Sequence, residues 1–269
     1  MAEALVDPQQ VALVTGASGG IGGAIARRLV EQGFYVHGVT SKEDKAAGFL
    51  ESIGGEAKGR AHVLDLAQLG KVNKWCQDTF TGAAPNVVVH AAGIIEDAFL
   101  FDRKPLTEAE IKTTELVMAV NALAPWVIER NFGMRRRKQG GAVLFVSSMS
   151  FHEGNPKQSR YAMSKGAMEG LERVASRELG GDEPDNARVN AIAYGPVNTE
   201  MWRQVPKGTR EKVEAEMANK RAFTEDEAAA AAMDILVGGY SNQNGSTFLL
   251  DGGLLAKLGV TNSAFIRLG

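Results

Sequence analysis

The residues whose types could carry chemistry lie close together near the middle of the chain. Tyr161 and Lys165 are four residues apart in a stretch with helical periodicity, so the phenol and the ammonium share one face. An ammonium beside a phenol predicts that the pKa of Tyr161 lies below its usual value of about 10. Ser148 precedes the pair and offers a hydroxyl that could hold the same substrate oxygen. These residues predict proton transfer near neutral pH, although an isolated Tyr/Lys pair is more typical of surface packing.

A second chemical signal lies near the start of the chain. Gly16, Gly20 and Gly22 follow the apolar residues 11–15 and lead into a helical pattern. Glycines in such a turn let the backbone approach a phosphate, whose charge suits the N–H groups at the start of the helix. The spacing differs from the commonest dinucleotide fingerprint, and a tight turn can also require glycine for steric reasons alone. The loop by itself therefore indicates a nucleotide site without establishing it.

The elements that must position these residues alternate between strand and helix. Seven strands are predicted, at residues 11–15, 34–39, 60–64, 86–90, 142–147, 187–193 and 246–250. Helices are predicted at residues 24–30, 43–53, 69–80, 107–137 with a bend near Pro125, 159–179, 210–219 and 225–236. This alternation predicts one doubly wound α/β domain over residues 1–269, with a mainly parallel seven-stranded sheet and helices on both faces. Residues 195–225 interrupt the pattern and are predicted to form a substrate lid.

Composition limits the possible partners and location. The 269 residues carry a formal net charge of −2, which gives no electrostatic reason to expect nucleic acid as a main partner. Residues 1–10 lack the features of a signal peptide, and no apolar run approaches the length of a membrane span. The single cysteine, Cys76, suits a reducing compartment and is predicted to pack in or near the core. We therefore expect a cytoplasmic protein with no membrane or nucleic-acid partner.

Two other groups of residues are predicted to be structural. His37, His62, His90 and His152 are widely spread without metal-ligand spacing, so no metal site is predicted. The basic residues 135–138 end the long helix, where cations suit the helix dipole, although they could also dock an acidic partner.

Taken in order, the motifs resemble those of the short-chain dehydrogenase/reductase family, over about residues 10–254. The matching residues are the loop Thr15-Gly16-x-x-x-Gly20-x-Gly22, the turn Ala91-Ala92-Gly93, Asn121, Ser148, Tyr161-x-x-x-Lys165, the turn Gly195-Pro196-Val197-x-Thr199 and Asp251-Gly252-Gly253. The resemblance implies a Rossmann domain in which a hydride is exchanged between a nicotinamide ring and a ketone or secondary alcohol.

The resemblance also implies roles for individual residues. Tyr161 would be the general acid/base, and Lys165 would bind the nicotinamide ribose and lower the pKa of Tyr161. Ser148 would position the substrate oxygen, and Asn121 would complete a proton relay through water to Lys165. Within the cofactor set, the glycine loop would hold the pyrophosphate, Asp65 would face the adenine, and Val197 and Thr199 would hold the carboxamide. The whole expected set is Gly16, Ser18, Gly20, Ile21, Gly22, Thr40, Ser41, Lys42, Asp65, Leu66, Ala91, Ala92, Gly93, Tyr161, Lys165, Val197 and Thr199.

The end of the second strand bears on which nicotinamide nucleotide is used. An NAD site usually places a carboxylate there, whereas this chain has Thr40-Ser41-Lys42. Two hydroxyls and an ammonium could bind a 2′-phosphate, which favours NADP(H) over NAD(H). Alternatively, Ser41 caps the next helix, with Asp44 completing a pattern like a capping box. Gly19 weighs against NADP(H), because relatives that use it often carry a basic residue at this position.

The resemblance is nearest to 3-oxoacyl-carrier-protein reductases, which implies a 3-oxoacyl thioester or a related ketone. A small alcohol, a sugar alcohol or a hydroxysteroid is an alternative substrate, and a non-catalytic nucleotide sensor is an alternative function. The acidic residues 181–185 oppose docking of an acidic carrier protein. His90 and Tyr194 replace the asparagine and proline that are usual in the family, and Tyr194 is predicted to line the substrate pocket.

The helix at residues 159–179 also suggests assembly. It carries apolar and small residues on more than one face, namely Ala162, Ala167, Met168, Leu171, Val174 and Ala175. A helix that is apolar beyond one stripe needs a second partner. Because family members commonly pair these helices, a homotetramer is expected, with a dimer as the next alternative.

Overall fold

A parallel sheet organises the chain in the computed structural model, which describes residues 10–81, 84–96, 99–102, 104–180, 187–240, 242–257 and 266–267 (backbone alone for 134–139 and 266–267). The strands are β1 (Val11–Thr15), β2 (Tyr35–Thr40), β3 (Gly59–Val63), β4 (Val87–His90), β5 (Ala142–Ser148), β6 (Arg188–Tyr194), β7 (Thr247–Leu250) and β8 (Ile266–Arg267). These described strands lie in the order β3-β2-β1-β4-β5-β6-β7-β8, and every neighbouring pair is parallel. The doubly wound fold is therefore confirmed. The two-residue β8, too short to show a pattern, extends the seven predicted strands.

Helices connect the strands, and most were expected from periodicity. They are α1 (Gly20–Glu31), α2 (Glu43–Ile53), α3 (Leu69–Thr79), α4 (Glu108–Met118), α5 (Ala124–Gln139), α6 (Met149–Glu153), α7 (Ser159–Leu179), α8 (Glu200–Arg203), α9 (Lys207–Glu216), α10 (Glu225–Leu236) and α11 (Leu254–Lys257). The predicted bounds of α2, α7 and α10 are confirmed. The short helices α6, α8 and α11 were not predicted, because about one turn is too short to show periodicity.

Helices cover both faces of the sheet, as predicted. One face carries α1, α2 and α10, and the other carries α3, α5 and α7. Representative buried side chains are Ile25, Phe49 and Ile235 on the first face and Cys76, Phe132 and Met168 on the second. Because successive strand residues point to opposite faces, a strand covered on both sides reads as a continuous apolar run. The expected core position of Cys76 is confirmed.

The helix predicted over residues 107–137 is divided by a π-helical turn, Ala119–Leu123, between α4 and α5. Pro125 has no N–H to donate to the carbonyl of Asn121. The N–H of Ala124 donates to the carbonyl of Ala119, one residue further back than in an α-helix. The irregularity expected near Pro125 is therefore a π-turn that contains Asn121.

One apolar helical stretch contradicts an expectation from the sequence. By length and composition alone, Glu108–Gly133 could cross a membrane, whereas no such stretch was expected. The core helix of a globular domain passes the same test, and 39% of the most apolar window here is buried within the fold. Ala124, Ile128 and Phe132 of α5 are fully buried in the core. Packing against the sheet accounts for these three side chains, whereas Leu116, Leu123 and Trp126 of the same stretch are exposed.

Candidate active site

Ser148 and Tyr161 meet at the carboxyl end of β5. Ser148 ends β5 and is the N-cap of α6, where its Oγ accepts a hydrogen bond from the N–H of Ser150 at 3.2 Å. Tyr161 lies half-buried in the first turn of α7, and its hydroxyl is hydrogen bonded to Ser148. Two hydroxyls therefore stand side by side at the edge of the sheet where ligands of this fold bind.

Lys165 and Asn121 approach the same place from α7 and from the π-turn. Lys165 is buried one turn after Tyr161, and its Nζ lies 5.4 Å from the centre of the Tyr161 ring. Asn121 is fixed by the backbone of Ile94, with its Oδ1 accepting from the N–H and its Nδ2 donating to the carbonyl, both at 2.9 Å. A Cβ at Gly93 would lie 3.5 Å from Lys165 Nζ and 3.6 Å from Asn121 Oδ1. The structure thus places Lys165 and Asn121 around Gly93, and it joins Lys165 to Ser148 through Tyr161.

Burial reverses the direction expected for the pKa of the phenol. It raises the pKa of Tyr161 to about 12, and the hydrogen bond with Ser148 opposes this shift. Burial also lowers the pKa of Lys165 to about 8, which the nearby Glu169 carboxylate opposes. Lys165 Nζ donates to the carbonyl of Val146 at 2.7 Å. The prediction that the pKa of Tyr161 lies below its usual value is therefore wrong for the chain itself, because burial disfavours the phenolate more than the hydrogen bond with Ser148 favours it.

The loop between β1 and α1 is a cradle in which Gly16 and Gly22 have no room for a side chain. Gly16 has a φ of +68°, and a Cβ there would lie 2.8 Å from the Cα of Ala92 after β4. A Cβ at Gly22 would overlap the carbonyl oxygen of Gly16. The first turn of α1 starts at Gly20 after the N-cap Gly19, with no side-chain cap and no acidic residue within it. This close backbone approach and this helix end fit the pyrophosphate of a dinucleotide.

Two other predicted segments border the cradle. The N–H of Ala92 donates to Thr15 Oγ1 at 3.2 Å, which holds the turn after β4 against β1. Thr199 is the N-cap of α8, and its Cγ2 would lie 2.7 Å from a Cβ at Gly20. Val197, two residues earlier, is buried. Other predicted cofactor residues here, half-buried or exposed, are Ser18, Ile21, Ala91 and Gly93.

At the tip of β2, Thr40 is buried, while Ser41 and Lys42 are exposed. Lys42 is the N-cap of α2 and makes no side-chain cap hydrogen bond, so the alternative in which Ser41 caps this helix is wrong. Asp65 follows β3 at the surface, and its Oδ1 accepts from the backbone N–H two residues later at 3.0 Å. Leu66 beside it is buried. This edge therefore offers a hydroxyl, an ammonium and a carboxylate to solvent.

Two carboxylates near the site were not selected from the sequence. Glu225 begins α10, and its Oε1 would overlap a Cβ at Gly20, so the carboxylate lies against the start of α1. Glu169, one turn after Lys165, is fully buried. Its spacing of four from Lys165 was a visible signal, whereas the contact between Glu225 and Gly20 depends on the packing of α10 against α1.

The two departures from the family pattern are structural. Tyr194 is 3% exposed and donates its hydroxyl to the carbonyl of Ala228 at 2.6 Å, so the prediction that it lines a substrate pocket is wrong. Burial raises its pKa. His90 is fully buried, with Nε2 2.8 Å from Glu129 Oε1 and its ring stacked on Phe145. Tyr194 thus holds α10 to β6, and His90 holds α5 to β4.

His37 and His62 form a pair on β2 and β3. His37 Nδ1 lies 2.9 Å from His62 Nε2, and Trp75 Nε1 donates to His62 Nδ1 at 3.1 Å. Burial lowers the pKa of each histidine to about 4. The pairing was not predicted from the sequence, because it depends on the register of β2 and β3. Among the described residues, no group of three or more His, Cys, Asp and Glu could hold a metal ion.

The predicted lid, residues 195–225, includes α8 and α9. Met217 anchors it, since this residue is fully buried in an apolar cluster with Met149 and Leu254. The side chains of the basic run 135–138 and the whole acidic run 181–185 lie outside the described residues.

The fold and this site define an oxidoreductase that binds a dinucleotide. Residues 16–255 match the family described as enoyl-(acyl carrier protein) reductase. The chain is 30% identical over 246 residues to the 3-oxoacyl-[acyl-carrier-protein] reductase FabG of Vibrio cholerae, which covers 91% of this chain and 97% of that protein. It is 32% identical over 262 residues to the short-chain reductase protein NovJ of Streptomyces niveus, which covers 93% and 96%. A solved structure of a short chain dehydrogenase/reductase family protein has a TM-score of 0.79 at 25% identity and covers 92% of this chain and 97% of that one.

The chain belongs to the short-chain dehydrogenase/reductase family. The resemblance stated from its motifs is confirmed, and the chain is an oxidoreductase of the class that uses a nicotinamide cofactor.

Proposed function

We propose that this chain interconverts 3-oxoacyl and 3-hydroxyacyl thioesters and that it prefers NADP(H) to NAD(H). The observation that carries the proposal is the meeting of Ser148, Tyr161, Lys165 and Asn121 next to the glycine cradle. A relative named 3-oxoacyl-[acyl-carrier-protein] reductase supports the substrate class.

The proposed mechanism assigns the proton to Tyr161. A carbonyl oxygen placed between Ser148 and Tyr161 would accept a hydrogen bond from each hydroxyl. The nicotinamide cofactor, when bound, supplies the hydride chemistry. Tyr161 gives its phenolic proton to the substrate oxygen during reduction and takes it back during oxidation. Lys165, whose pKa burial lowers to about 8, stabilises the resulting phenolate as an ammonium. We assign Asn121 the relay through water to Lys165, because both side chains lie around Gly93.

The cofactor residues follow the shape of the crevice. We assign the pyrophosphate to the cradle of Gly16, Gly20 and Gly22, because added side chains there would meet neighbouring atoms. Asp65 and Leu66 border the adenine, and Val197 and Thr199 hold the carboxamide. The proposed lid, residues 195–225, has Thr199 and Glu225 near its two ends, and both lie against Gly20. Both ends of the proposed lid therefore border the proposed pyrophosphate site.

The preference for NADP(H) rests on the tip of β2. Ser41 and Lys42 are exposed and Ser41 does not cap α2, so both groups are available to a 2′-phosphate. We expect Lys42→Ala to lower kcat/KM with NADPH more than with NADH. A preference of the unmodified enzyme for NADH of about tenfold, which is about 1.4 kcal/mol, would overturn this assignment.

An apolar groove suits the acyl chain. It has a volume of about 300 Å³ and lies between Phe99, Leu100 and Phe101 on one side and residues 154–157 on the other, next to Ser159 at the start of α7. Lys157 Nζ lies 5.2 Å from the centre of the Phe99 ring at its border. Apolar walls with few polar groups are typical of small-molecule sites.

A substrate panel tests the function. Absorbance of the reduced nicotinamide is followed with acetoacetyl-coenzyme A, an acetoacetyl carrier protein, free ketones, a sugar alcohol and a hydroxysteroid, each with both nucleotides. The proposal expects the thioesters to give the highest kcat/KM. The acidic run 181–185 predicts that the carrier protein offers no advantage over coenzyme A. Higher activity on free alcohols would favour the alternative substrates, and tight nucleotide binding without turnover on any of them would favour the nucleotide sensor.

We also propose that the protein is a homotetramer, with a dimer as the alternative. On α7, Met163, Ala167, Gly170 and Val174 form an exposed stripe of apolar and small residues, opposite the face that packs on the sheet. Trp126 on α5 is 51% exposed. Exposed apolar surface of this kind marks interaction sites. Light scattering at micromolar concentration should give the mass of a tetramer, and a strictly monomeric mass would refute the proposal.

We also propose that the protein is cytoplasmic and has no nucleic-acid or membrane partner. The single cysteine is buried, and the net charge of −2 gives no attraction to nucleic acid.

A further inference from the structure

Glu169 is a carboxylate at a position where α7 faces the sheet. It is fully buried, one turn after Lys165 and two turns after Tyr161. Burying a charged group is costly unless it is well paired. Ser147 Oγ donates to Glu169 Oε1 at 2.5 Å, and His152 Nε2 lies 2.9 Å from the same oxygen. Thr247 Oγ1 donates to Oε2 at 3.4 Å.

These partners belong to the segments that carry the active site. Ser147 immediately precedes Ser148 at the end of β5, and His152 lies in α6, the short helix that Ser148 caps. Thr247 begins β7. One carboxylate therefore ties α7, which carries Tyr161, to β5 and α6, which carry Ser148. The relative position of the two catalytic hydroxyls depends on this connection.

The charge of Glu169 acts on Lys165 as well. Lys165 Nζ is hydrogen bonded to a neutral carbonyl, that of Val146, and burial disfavours its ammonium form. The Glu169 carboxylate opposes this effect. The charged and titratable groups near Glu169 in the described structure are Lys165, Glu172 and Arg173 on α7 and His152 on α6, while β5 and β7 contribute neutral hydroxyls. Arg173 Nη2 lies 3.7 Å away, on a side chain that is 62% exposed.

We propose that Glu169 is a positioning residue of the active site, which fixes the Ser148 segment through Ser147 and His152 and maintains Lys165 as an ammonium. This inference deepens the proposed function and rests on it for the roles of Tyr161 and Lys165. Glu169→Gln keeps the size and hydrogen-bonding capacity of the side chain and removes its charge. The ammonium of Lys165 should then lose its proton at lower pH.

Glu172→Gln is the matched control. Glu172 is a fully buried carboxylate on the same helix, and neither of its oxygens has a hydrogen-bond partner in the described structure. Burial raises the pKa of Glu172 to about 7, so its carboxylate is charged in the alkaline range in which Lys165 titrates. In that range Glu172→Gln removes the same charge three residues further on. A general effect of neutralising a buried carboxylate in α7 would appear in both variants, whereas the proposed effect belongs to Glu169 alone.

The test is an NMR titration of the Lys165 side chain in the complete protein without added nucleotide, using lysine labelled with carbon-13 and Lys165→Met to assign the signal. We expect the Lys165 midpoint to fall by about one pH unit in Glu169→Gln and to stay within about 0.2 in Glu172→Gln. Glu169→Asp, which keeps the charge, should retain the wild-type midpoint. Glu169→Met, which removes the charge with an apolar side chain of similar length, replaces Glu169→Gln as the reporter should the latter fail to fold, and the same fall is expected in it. An unchanged midpoint in Glu169→Gln, an equal fall in Glu172→Gln, or a fall in Glu169→Asp would overturn the proposal.

Activity then separates this inference from the proposed function. The alkaline limb of the kcat/KM profile in Glu169→Gln should move to lower pH by the same amount as the Lys165 midpoint. A shifted midpoint in a protein that turns over no substrate would refute the proposed reaction and leave the electrostatic link standing. An active Glu169→Gln enzyme with an unchanged Lys165 midpoint and an unchanged alkaline limb would refute this inference and leave the proposed function standing.

Discussion

The two ends of the crevice present their polar groups in opposite ways. At the end proposed to bind the nucleotide, called the nucleotide end, the groups available to a ligand are the backbone of the glycine loop and the exposed side chains of Ser41 and Lys42. At the end proposed to carry out the reaction, called the catalytic end, Ser148 is 8% exposed and Lys165 is 3% exposed, and each is hydrogen bonded within the protein. A phosphate requires close approach to the backbone, whereas acid–base chemistry requires side chains whose pKa is set by their surroundings. The nucleotide end is therefore suited to bind a ligand by close backbone approach, and the catalytic end is suited to set the pKa of its side chains.

Among these substitutions, Lys165→Ala should cause the largest loss of activity. The variant removes the ammonium beside Tyr161 and the assigned ribose contact, so kcat/KM should fall by about 10³-fold or more and nucleotide binding should weaken as well. Steady-state kinetics and fluorescence titration with NADPH measure the two effects. Lys112→Ala is the control, because this lysine forms an exposed pair with Glu108 on α4. Equal effects of the two substitutions would argue against a special role for Lys165.

Gly16→Ala should disturb the glycine loop, because the added side chain has no room. The added Cβ would lie 2.8 Å from backbone atoms of Ala92, at a φ of +68°. We expect a loss of about 1–3 kcal/mol in the free energy of unfolding and a weaker affinity for the nucleotide. Gly48→Ala is the control, since a Cβ there meets nothing within 4 Å in the middle of α2. Calorimetry and nucleotide titration should show a neutral or stabilising effect for the control, and a tolerated Gly16→Ala would contradict the cradle.

The pair of His37 and His62 on β2 and β3 should make the fold sensitive to acid. The pKa of His62 falls from 6.5 to about 4 on burial, so its neutral form contributes stability above pH 6.5 that is lost as the pH falls towards 4. At pH 5 the loss for His62 is on the order of 1–2 kcal/mol, after allowance for screening of its partly exposed ring by solvent. His62→Gln should therefore reduce the difference between the free energies of unfolding at pH 7.5 and pH 5, measured by urea denaturation. An unchanged difference would show that the pair does not titrate as described.

Glu225→Gln should strengthen nucleotide binding slightly. The Glu225 carboxylate lies against Gly20, at the helix end assigned to the pyrophosphate, and like charges repel. Removing it should tighten the Kd for NADPH by about threefold to tenfold, on the order of 1 kcal/mol. Glu31→Gln makes the same change of charge at the exposed far end of α1 and should have no effect. Weaker binding by Glu225→Gln would show that the carboxylate supports the nucleotide instead of opposing it.

The difference between local backbone patterns and buried side-chain contacts also explains which features could be predicted from the sequence. The glycine spacing, the Tyr161/Lys165 pair and the alternation of strands and helices are local patterns, and they predicted the sheet and the meeting of the proposed catalytic residues. The alternation cannot show which neighbour a buried side chain will find. The pairing of His37 with His62 and the bond from Tyr194 to Ala228 both depend on how distant elements pack.

Burial was the second quantity that the sequence could not supply. The pair of Tyr161 and Lys165 suggested a lowered phenol pKa, because the ammonium is visible in the sequence and the desolvation is not. The spacing of Glu169 from Lys165 was visible in the sequence, but its burial and its partners on β5, α6 and β7 were not. The π-turn at Asn121 was predicted only in part. Pro125 indicated that the helix is irregular near this position, but it did not indicate a π-turn.

The central claim is that Tyr161 is the proton donor, and Tyr161→Phe tests it most directly. The substitution removes one hydroxyl, the group bonded to Ser148, and leaves the ring in place. Turnover of acetoacetyl-coenzyme A should fall by about 10²- to 10⁴-fold, while the Kd for NADPH, measured on the same samples, should stay within about twofold because it depends on the cradle and Lys165. Retention of most of the turnover by Tyr161→Phe would contradict the account.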